Sequence, residues 1–305
     1  MTASARGIEP DSTASTLFVS DLDFTLLQSD ATVSARTVEV INALVAAGLR
    51  FTYATARSFG SARRATHGLR LELPVITYGG TMTVDPRTGV PDAVAGMPES
   101  IIADILEVSE VHPRVQALVH TYQGGRDAIS WRSDVVTAGV EHFLATRAGD
   151  PRLSPRESWA GADLSGAYYV SIIGDRVDLH ELRARLAAVL SGCLLILSDD
   201  PYTPSIAWLE IHADRGSKAE AAAALAERIG ATRIVAFGDN HNDVPLFRIA
   251  DESYAVANAV PELRELATGV LAGNDADAVA EWLARRWSGV AEERTGDSPG
   301  SPPPA

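Results

Sequence analysis

The sequence is poor in cysteine, in long apolar runs and in positive charge. Among its 305 residues there is one cysteine, Cys193, so no disulfide forms within the chain and nothing in the cysteine content indicates secretion. No apolar run approaches the length of a bilayer span, and Met1–Ser15 lacks the apolar core of a signal peptide. We therefore expect a cytoplasmic protein that has no membrane partner.

The charge balance excludes a second class of partner. Lysine and arginine together number 26 against 40 acidic residues, which gives a net charge of −14. This balance argues against a nucleic-acid-binding surface, which needs clustered basic residues, and against adhesion to anionic lipids. It does not argue against a small phosphorylated substrate, because one local cationic site is enough to bind it.

Between two polar ends, the sequence alternates strand and helix signals, which is typical of α/β proteins. We expect disordered tails at residues 1–15 and 291–305. Residues 16–81 and 208–290 are predicted to form a discontinuous α/β core domain with a parallel sheet, and residues 82–207 an inserted α+β domain. In this interpretation the apolar segment Trp208–His212 returns the chain to the core domain.

The most informative segment is an apolar run, Leu17–Val19, that ends in Asp21 and Asp23. A short run of this kind suits a buried parallel strand, and an open α/β sheet binds its ligands at the carboxyl ends of such strands. Side chains two residues apart in an extended segment point to the same side, so the two carboxylates are expected to share a cleft. A cation or a shared proton must then offset their repulsion.

Three more strand-like runs end in loops that carry polar side chains or glycine, and a lysine begins a later helix. The loops and the lysine are Thr55–Ser58, Gly79–Thr81, Gly238–Asp243 and Lys218. Parallel strands bring such loops to one edge of the sheet. Carboxylates suit Mg²⁺, and a lysine with hydroxyls suits a phosphoryl group, so the pattern indicates phosphoryl transfer. Taken singly, each segment is also compatible with an ordinary turn or a solvated surface lysine.

Together these segments resemble the motifs of the haloacid dehalogenase (HAD) superfamily, in its Cof-type branch of phosphatases with a large class IIB cap. Asp21-Leu-Asp-Phe-Thr25 resembles the first motif, Asp-x-Asp-x-Thr, and Ala54-Thr-Ala-Arg57 resembles Ala-Thr-Gly-Arg. Lys218 matches the lysine of the third motif, and Gly238-Asp-Asn-His-Asn-Asp243 matches Gly-Asp-x-x-Asn-Asp. The resemblance covers nearly all of the chain between the two tails, and it implies a Rossmann-like core domain with an inserted cap domain.

The resemblance also implies roles for individual residues. Asp21 would be the nucleophile and Asp23 the general acid and base, while Thr55, Lys218 and Asn242 would hold the phosphoryl oxygens. Mg²⁺ would be bound by the residues Asp21, Asp23 (through its backbone carbonyl), Asp239 and Asp243. The substrate would be a small phosphate ester, often a sugar phosphate, and the protein would be a monomer or a homodimer.

Three positions depart from the family pattern. Phe24 and Ala56 stand where glycine is usual, and Gly79 stands where an asparagine is usual. The first two leave the catalytic residues in place, whereas the third removes a polar contact near the substrate. Candidate substrate contacts are Phe24, Arg57, Gly79 and Gly80.

Two other functions remain compatible with the sequence. A phosphomutase of the same superfamily would return the phosphoryl group to a sugar instead of to water. A non-catalytic protein that binds phosphorylated ligands could use the same scaffold, although the intact acidic residues and Lys218 argue against it.

Overall fold

A computed structural model describes residues 15–200, 203 and 205–296. It contains two compact units: one is built from the segments that end at Gly89 and resume at Lys218, and the other spans Val90–Ser217. The predicted tails lie outside the described residues, except for Ser15 and for residues 291–296, which continue the last helix.

The regular elements follow in chain order. The segment that ends at Gly89 contains β1 (Thr16–Ser20), α1 (Ala35–Ala46), β2 (Phe51–Tyr53), α2 (Phe59–Ala65), β3 (Val75–Thr77) and β4 (Met82–Val84). The second unit contains β5 (Pro91–Val94), α3 (Glu99–Glu110), β6 (Ala117–Gln123), β7 (Arg126–Arg132), α4 (Ala138–Ala145), β8 (Leu153–Arg156), β9 (Ala167–Gly174), α5 (Arg176–Val189), β10 (Cys193–Asp199) and β11 (Ala207–Ala213). The segment that resumes at Lys218 contains α6 (Lys218–Arg228), β12 (Arg233–Gly238), α7 (Val244–Ile249), β13 (Glu252–Ala255), α8 (Pro261–Leu266), β14 (Gly269–Val270) and α9 (Ala278–Gly296).

The first unit is organised around a parallel sheet with the strand order β14-β13-β12-β1-β2. Strand β1 is buried on both faces: Leu17 and Val19 belong to the same apolar cluster as Leu225 of α6, while Phe18 faces Trp282 of α9. Helices on both faces explain why this strand is a continuous apolar run without alternation. The predicted α/β core with a buried parallel strand is confirmed.

The second unit has its own sheet, with the order β10-β11-β9-β6-β7-β8. Neighbouring strands are antiparallel except β7 and β8, which are parallel. Apolar residues of α3 and α5 pack against β6, β9 and β11, and Phe143 of α4 belongs to a separate cluster with Ile129. This arrangement confirms the predicted α+β character of the insert.

The hairpin β6–β7 shows how local sequence sets this sheet. Gln123 pairs with Arg126, so the connection is the two residues Gly124 and Gly125, with φ of 55° and 79°. Two consecutive positive φ angles match the twist of a two-residue hairpin and favour glycine at both positions.

Two segments lie in different units from those predicted. Strand β11, which contains Trp208–His212, pairs with β10 from Cys193 to Asp199 and with β9, so it belongs to the second unit rather than to the core. Strand β4 pairs with β3 and stays in the first unit. The unit boundaries therefore fall at 89/90 and 217/218 instead of at 81/82 and 207/208. An apolar run records that a strand is buried but not which sheet it joins.

Among the described helices, none combines the length and the apolar character that crossing a membrane requires.

His120 of β6 gives the second unit a pH-dependent stability. Its side chain is buried opposite Tyr169, and Nε2 lies 3.1 Å from Oγ of Ser171. Burial, assisted by Arg152 and Arg147, lowers the pKa of His120 to about 3. An unfolded histidine titrates near pH ~6.5, so the unfolded state binds more protons than the folded state below that pH.

We predict that the free energy of unfolding decreases as the pH falls from about 6.5 towards 3. In His120→Gln this decrease should be smaller by a few kcal/mol. Urea unfolding followed by tryptophan fluorescence at several pH values measures the slope. Ser171→Ala is the matched control, because it removes the hydrogen-bond partner and keeps the titrating ring. Equal slopes in His120→Gln and the unmodified protein would contradict the prediction.

Candidate active site

The candidate site begins where two neighbouring parallel strands end. Asp21 follows β1 and Asp239 follows β12, and the backbone N–H of Asp21 donates to the carbonyl of Phe237 at 2.9 Å. Parallel pairing in register brings both strand ends to the same edge. The two carboxylates predicted from widely separated segments therefore share one cluster.

Lys218, the first residue of α6, lies between two of these carboxylates. Its Nζ is 2.8 Å from Oδ1 of Asp21 and 2.7 Å from Oδ1 of Asp243. The three side chains are 2%, 7% and 0% exposed, respectively, so water screens the interaction very little. An ammonium group among buried carboxylates is the arrangement that offsets their repulsion and their loss of hydration.

The electrostatics of the cluster follow from its burial. Desolvation raises the pKa of Asp21 well above its ordinary value, although Lys218 opposes the shift. Burial and then the charge of Asp243 raise the pKa of Asp239 to about 7. Burial alone would lower the pKa of Lys218, but Asp21 and Asp243 outweigh it and keep that pKa above its ordinary value. One ammonium does not fully compensate three buried carboxylates.

The surplus of negative charge fits a bound cation. Oxygen atoms of Asp21, Asp239 and Asp243 all lie within 4.8 Å of one another. Hard divalent cations such as Mg²⁺ take carboxylate oxygens as ligands, so these residues suit the ion. The side chain of Asp23, which was predicted to contribute its backbone carbonyl, lies outside this carboxylate group.

Asp243 is held from the opposite side by the backbone. Its Oδ2 accepts from the N–H groups of Asp239 at 3.0 Å and Asn240 at 3.2 Å. Gly238 makes this approach possible, since a Cβ at that position would lie 2.6 Å from Oδ2 of Asp243. The Gly-Asp sequence after β12 therefore has a steric basis: glycine makes room for the carboxylate that binds Lys218.

Asp23 forms an ion pair with Arg57. Nε of Arg57 donates to Oδ2 of Asp23 at 2.8 Å, and Nη2 donates to Oδ1. The side chains of Asp23 and Arg57 are 27% and 17% exposed, so this pair is more accessible than the Lys218 cluster. Arg57, which is predicted to contact the substrate, therefore holds the carboxylate of the predicted acid.

Thr25 of the first motif connects two of the loops that form the site. Its Oγ1 donates to Oδ1 of Asp239 at 3.0 Å, which links the loop after β1 to the loop after β12. Between Thr25 and Asp23, Phe24 has a φ of 54°, in the left-handed region. The i, i+4 spacing of Asp21 and Thr25 was the available sequence signal for this contact.

Thr55 lies in the loop after β2 and is fully buried. Its Oγ1 accepts from the N–H of Arg57 at 3.1 Å, and its carbonyl accepts from the N–H of Gly79 at 2.9 Å. The neighbouring N–H of Ala54 donates to the carbonyl of Ser20 at 2.9 Å, one residue before Asp21. The predicted Thr55 and Gly79 therefore lie in loops that are bonded to each other and, through Ala54, to β1.

Gly79 and Gly80 have φ of 68° and 117°, which glycine adopts without strain.

Asn242 lies in the 3₁₀ turn His241–Asp243, and its buried Oδ1 has no hydrogen-bond partner within the described part of the chain. A buried amide oxygen of this kind can accept a hydrogen bond from water or from a donor group of a ligand.

Comparison with known proteins identifies the family. A family model for haloacid dehalogenase-like hydrolases matches residues 18–283. A phosphoglycolate phosphatase from Halorubrum lacusprofundi is 32% identical over 160 residues, which cover 52% of this chain and 66% of the relative. The 5-amino-6-(5-phospho-D-ribitylamino)uracil phosphatase YitU of Bacillus subtilis is 24% identical over 279 residues, which cover 89% of this chain and 97% of the relative.

Solved structures agree on the fold. One described as a HAD subclass IIB sugar phosphatase superposes with a TM-score of 0.65 at 17% identity, and covers 90% of this chain and 99% of its own. A likeness at this identity supports the architecture of a parallel-sheet core with an inserted α+β unit, as the resemblance implied. With the family model matching from β1 into α9, the chain belongs to the haloacid dehalogenase-like hydrolases.

Proposed function

We propose that this protein is a Mg²⁺-dependent phosphatase that hydrolyses a small phosphorylated metabolite through an aspartyl-phosphate intermediate. The observation that carries the proposal is the buried cluster around Lys218, which contacts Asp21 and Asp243. Carboxylate oxygens of these two residues and of Asp239 lie within 4.8 Å of one another. A carboxylate nucleophile that attacks a phosphate ester meets like charge, and this cluster supplies the compensating positive charge at the attacking group.

In the first step, an oxygen of Asp21 attacks phosphorus and the bond to the ester oxygen breaks. Asp23 gives its proton to the departing alkoxide, so the alcohol leaves neutral. In the second step, Asp23 takes a proton from water, which attacks phosphorus and releases Asp21 and inorganic phosphate. Lys218, Thr55 and Asn242 are proposed to hold the phosphoryl oxygens during both steps.

Mg²⁺ is proposed to be held by Asp21, Asp239 and Asp243, with the backbone carbonyl of Asp23. When bound, the ion supplies Lewis-acid stabilisation of the phosphoryl oxygens. Thr25 orients Asp239 through its hydroxyl, so the first motif contributes to the metal-binding side as well as to the chemistry.

Arg57 has a positioning role in this mechanism. It bonds both oxygens of Asp23, and one of them must be released before Asp23 can hold and transfer a proton. The ion pair therefore holds the side chain of Asp23 in position between turnovers. Arg57 also stays, with Phe24, Gly79 and Gly80, among the residues proposed to contact the substrate.

The names of the relatives support the substrate class but not one compound. They describe phosphatases that act on phosphoglycolate and on a phosphoribitylamino-uracil, both small phosphate monoesters. We propose a sugar phosphate or a similar metabolite for this chain. A cytoplasmic location and a monomeric or homodimeric state stay predictions.

A screen of phosphate monoesters, with Mg²⁺ present or removed by a chelator, tests the proposal. We expect inorganic phosphate to be released from at least one small ester, and this release to be lost on chelation and restored by Mg²⁺. Activity that requires an added sugar bisphosphate would indicate a phosphomutase instead. Absence of turnover over the whole panel would favour the ligand-binding alternative.

Asp21→Asn tests the nucleophile and Asp23→Asn tests the acid. Neither change alters side-chain size appreciably. For Asp21→Asn we expect kcat to fall by roughly 10³-fold or more. For Asp23→Asn we expect it to fall by about 10²-fold to 10⁴-fold. Steady-state kinetics on the best ester measure both. Asp30→Asn, at an exposed carboxylate, is the control. Near-normal turnover in either active-site variant would overturn the assigned roles.

Gly238→Ala tests the steric basis of the cluster. The added Cβ would approach Asp243 to 2.6 Å, so the carboxylate has to move away from Lys218 and the two N–H groups. We expect kcat/KM to fall by about 10²-fold. The matched control is Gly60→Ala in α2, whose Cβ would meet only a guanidinium nitrogen of Arg64 at 3.8 Å. Equal activity of the two variants would contradict the interpretation.

A further inference from the structure

The loop that carries the proposed acid contains a strained residue. Phe24 lies between Asp23 and Thr25 with φ 54° and ψ 14°, the left-handed conformation. A bulky residue with a Cβ adopts this conformation at a cost of roughly 1–3 kcal/mol, which persists only where the surroundings hold it. The structure must therefore contain the contacts that keep Phe24 in place.

Asn258, which follows β13, supplies one such contact. Its Nδ2 donates to the carbonyl of Phe24 at 2.8 Å, and its Oδ1 accepts from the backbone N–H of Asn274 at 3.1 Å. The second bond fixes the orientation of the amide, because only oxygen can accept from that N–H. The NH₂ group is consequently directed at Phe24.

Asn274 holds the same loop at its other end. It is buried, and its Nδ2 donates to the carbonyl of Leu27 at 3.1 Å. The N–H of Leu27 in turn donates to the carbonyl of Leu22 at 2.9 Å, which closes the loop around Asp23 and Phe24. Two side-chain amides thus hold carbonyls on both sides of Thr25.

The segment that carries Asn274 is itself anchored to Ser29 and to the start of α1. Asp275 accepts from the N–H and the hydroxyl of Ser29, each at 2.7 Å. Asp277 accepts from the hydroxyl of Ser34, the N-cap of α1, and from that of Thr37 at 3.0 Å. The segment is therefore held by the start of α1 and by Ser29 as well as by its bond to Leu27.

We propose that Asn258 and Asn274 form a clamp that keeps Phe24 in the left-handed conformation and so positions Asp23 and Thr25. The backbone direction at Phe24 determines where its two neighbours project, so relaxation of this residue displaces Asp23 from Arg57 and Thr25 from Asp239. Both asparagines are positioning residues, since they act on the reacting groups through the backbone. This inference rests on the proposed function for its catalytic consequence.

A double-mutant cycle between Asn258→Ala and Phe24→Gly tests the clamp. Glycine adopts the left-handed conformation without strain, so it does not need to be held there. With p-nitrophenyl phosphate and Mg²⁺, we expect Asn258→Ala to lower kcat about tenfold and to change KM less than about twofold when residue 24 is phenylalanine. In the Phe24→Gly background, the same change should lower kcat less than about twofold. An equal loss in both backgrounds would overturn the proposal.

Stability gives a second readout, of opposite sign. Without the clamp, Phe24 can relax and recover its strain, which offsets the lost hydrogen bond. We expect Asn258→Ala to raise the unfolding equilibrium constant less than about twofold with Phe24 present but about fivefold in the Phe24→Gly background. Urea unfolding at one pH measures both. Identical changes in the two backgrounds would count against the clamp even if the protein turned over no phosphate ester, so failure of this inference differs from failure of the proposed function.

Asn42 provides a matched control. Its Nδ2 donates to the carbonyl of Gly68 at 2.9 Å, and its Oδ1 accepts from the N–H of Arg70 at 2.7 Å. This is the bonding pattern of Asn258, but it does not involve the loop that carries Asp23 and Phe24. Asn42→Ala should leave kcat unchanged and show no coupling to Phe24→Gly. Asn258→Asp, which keeps the acceptor and removes the donor, should lower kcat at least as much as Asn258→Ala. Full activity of Asn258→Asp would overturn the proposal.

Discussion

The structure of the site depends on one buried interaction, the ammonium of Lys218 between the carboxylates of Asp21 and Asp243. Burying a carboxylate without a partner costs several kcal/mol, and this cation is the partner that Asp21 and Asp243 share. Lys218 also lowers the pKa of Asp239, but burial and the charge of Asp243 outweigh it and raise that pKa to about 7. Three carboxyl groups within 4.8 Å of one another and a single ammonium leave room for a second cation, so the same cluster accounts for the buried ion pair and for the proposed metal site.

The contacts of Lys218 are compatible with a long insertion between the two segments of the first unit. Lys218 is the first residue of the segment that resumes the first unit, and α6 begins with it. An insertion between β4 and Lys218 can be long because the ion pair, and the packing of α6 on the parallel sheet, do not require the two segments to be near in sequence. The cost of closing such a loop grows only slowly with its length. The second unit can therefore have a sheet and apolar clusters of its own.

Much of the site was predictable because parallel strands bring their carboxyl ends to one edge, which grouped Asp21 with Asp239 from sequence alone. Other features depend on long-range pairing that a local pattern does not record. The apolar alternation of Trp208–His212 fits either sheet, and only its register with β10 and β9 assigns it to the second unit. Arg57 follows a motif threonine, yet nothing in the sequence indicates that its guanidinium bonds Asp23. Asn258 belongs to a segment, Asn258-Ala259, that resembles a late segment of the family, but nothing in the sequence indicates that its side chain bonds the carbonyl of Phe24.

Two aromatic residues that follow strands have positive φ angles, Phe24 after β1 and Tyr78 after β3. In both cases a hydrogen bond to another loop holds the conformation. Asn258 donates to the carbonyl of Phe24, and the N–H of Tyr78 donates to the carbonyl of Arg57 at 3.0 Å. These loops gain rigidity from one another rather than from regular secondary structure. The positions of Asp23 and Arg57 therefore depend on neighbouring loops, so we expect a substitution in one loop to displace a proposed catalytic residue carried by another.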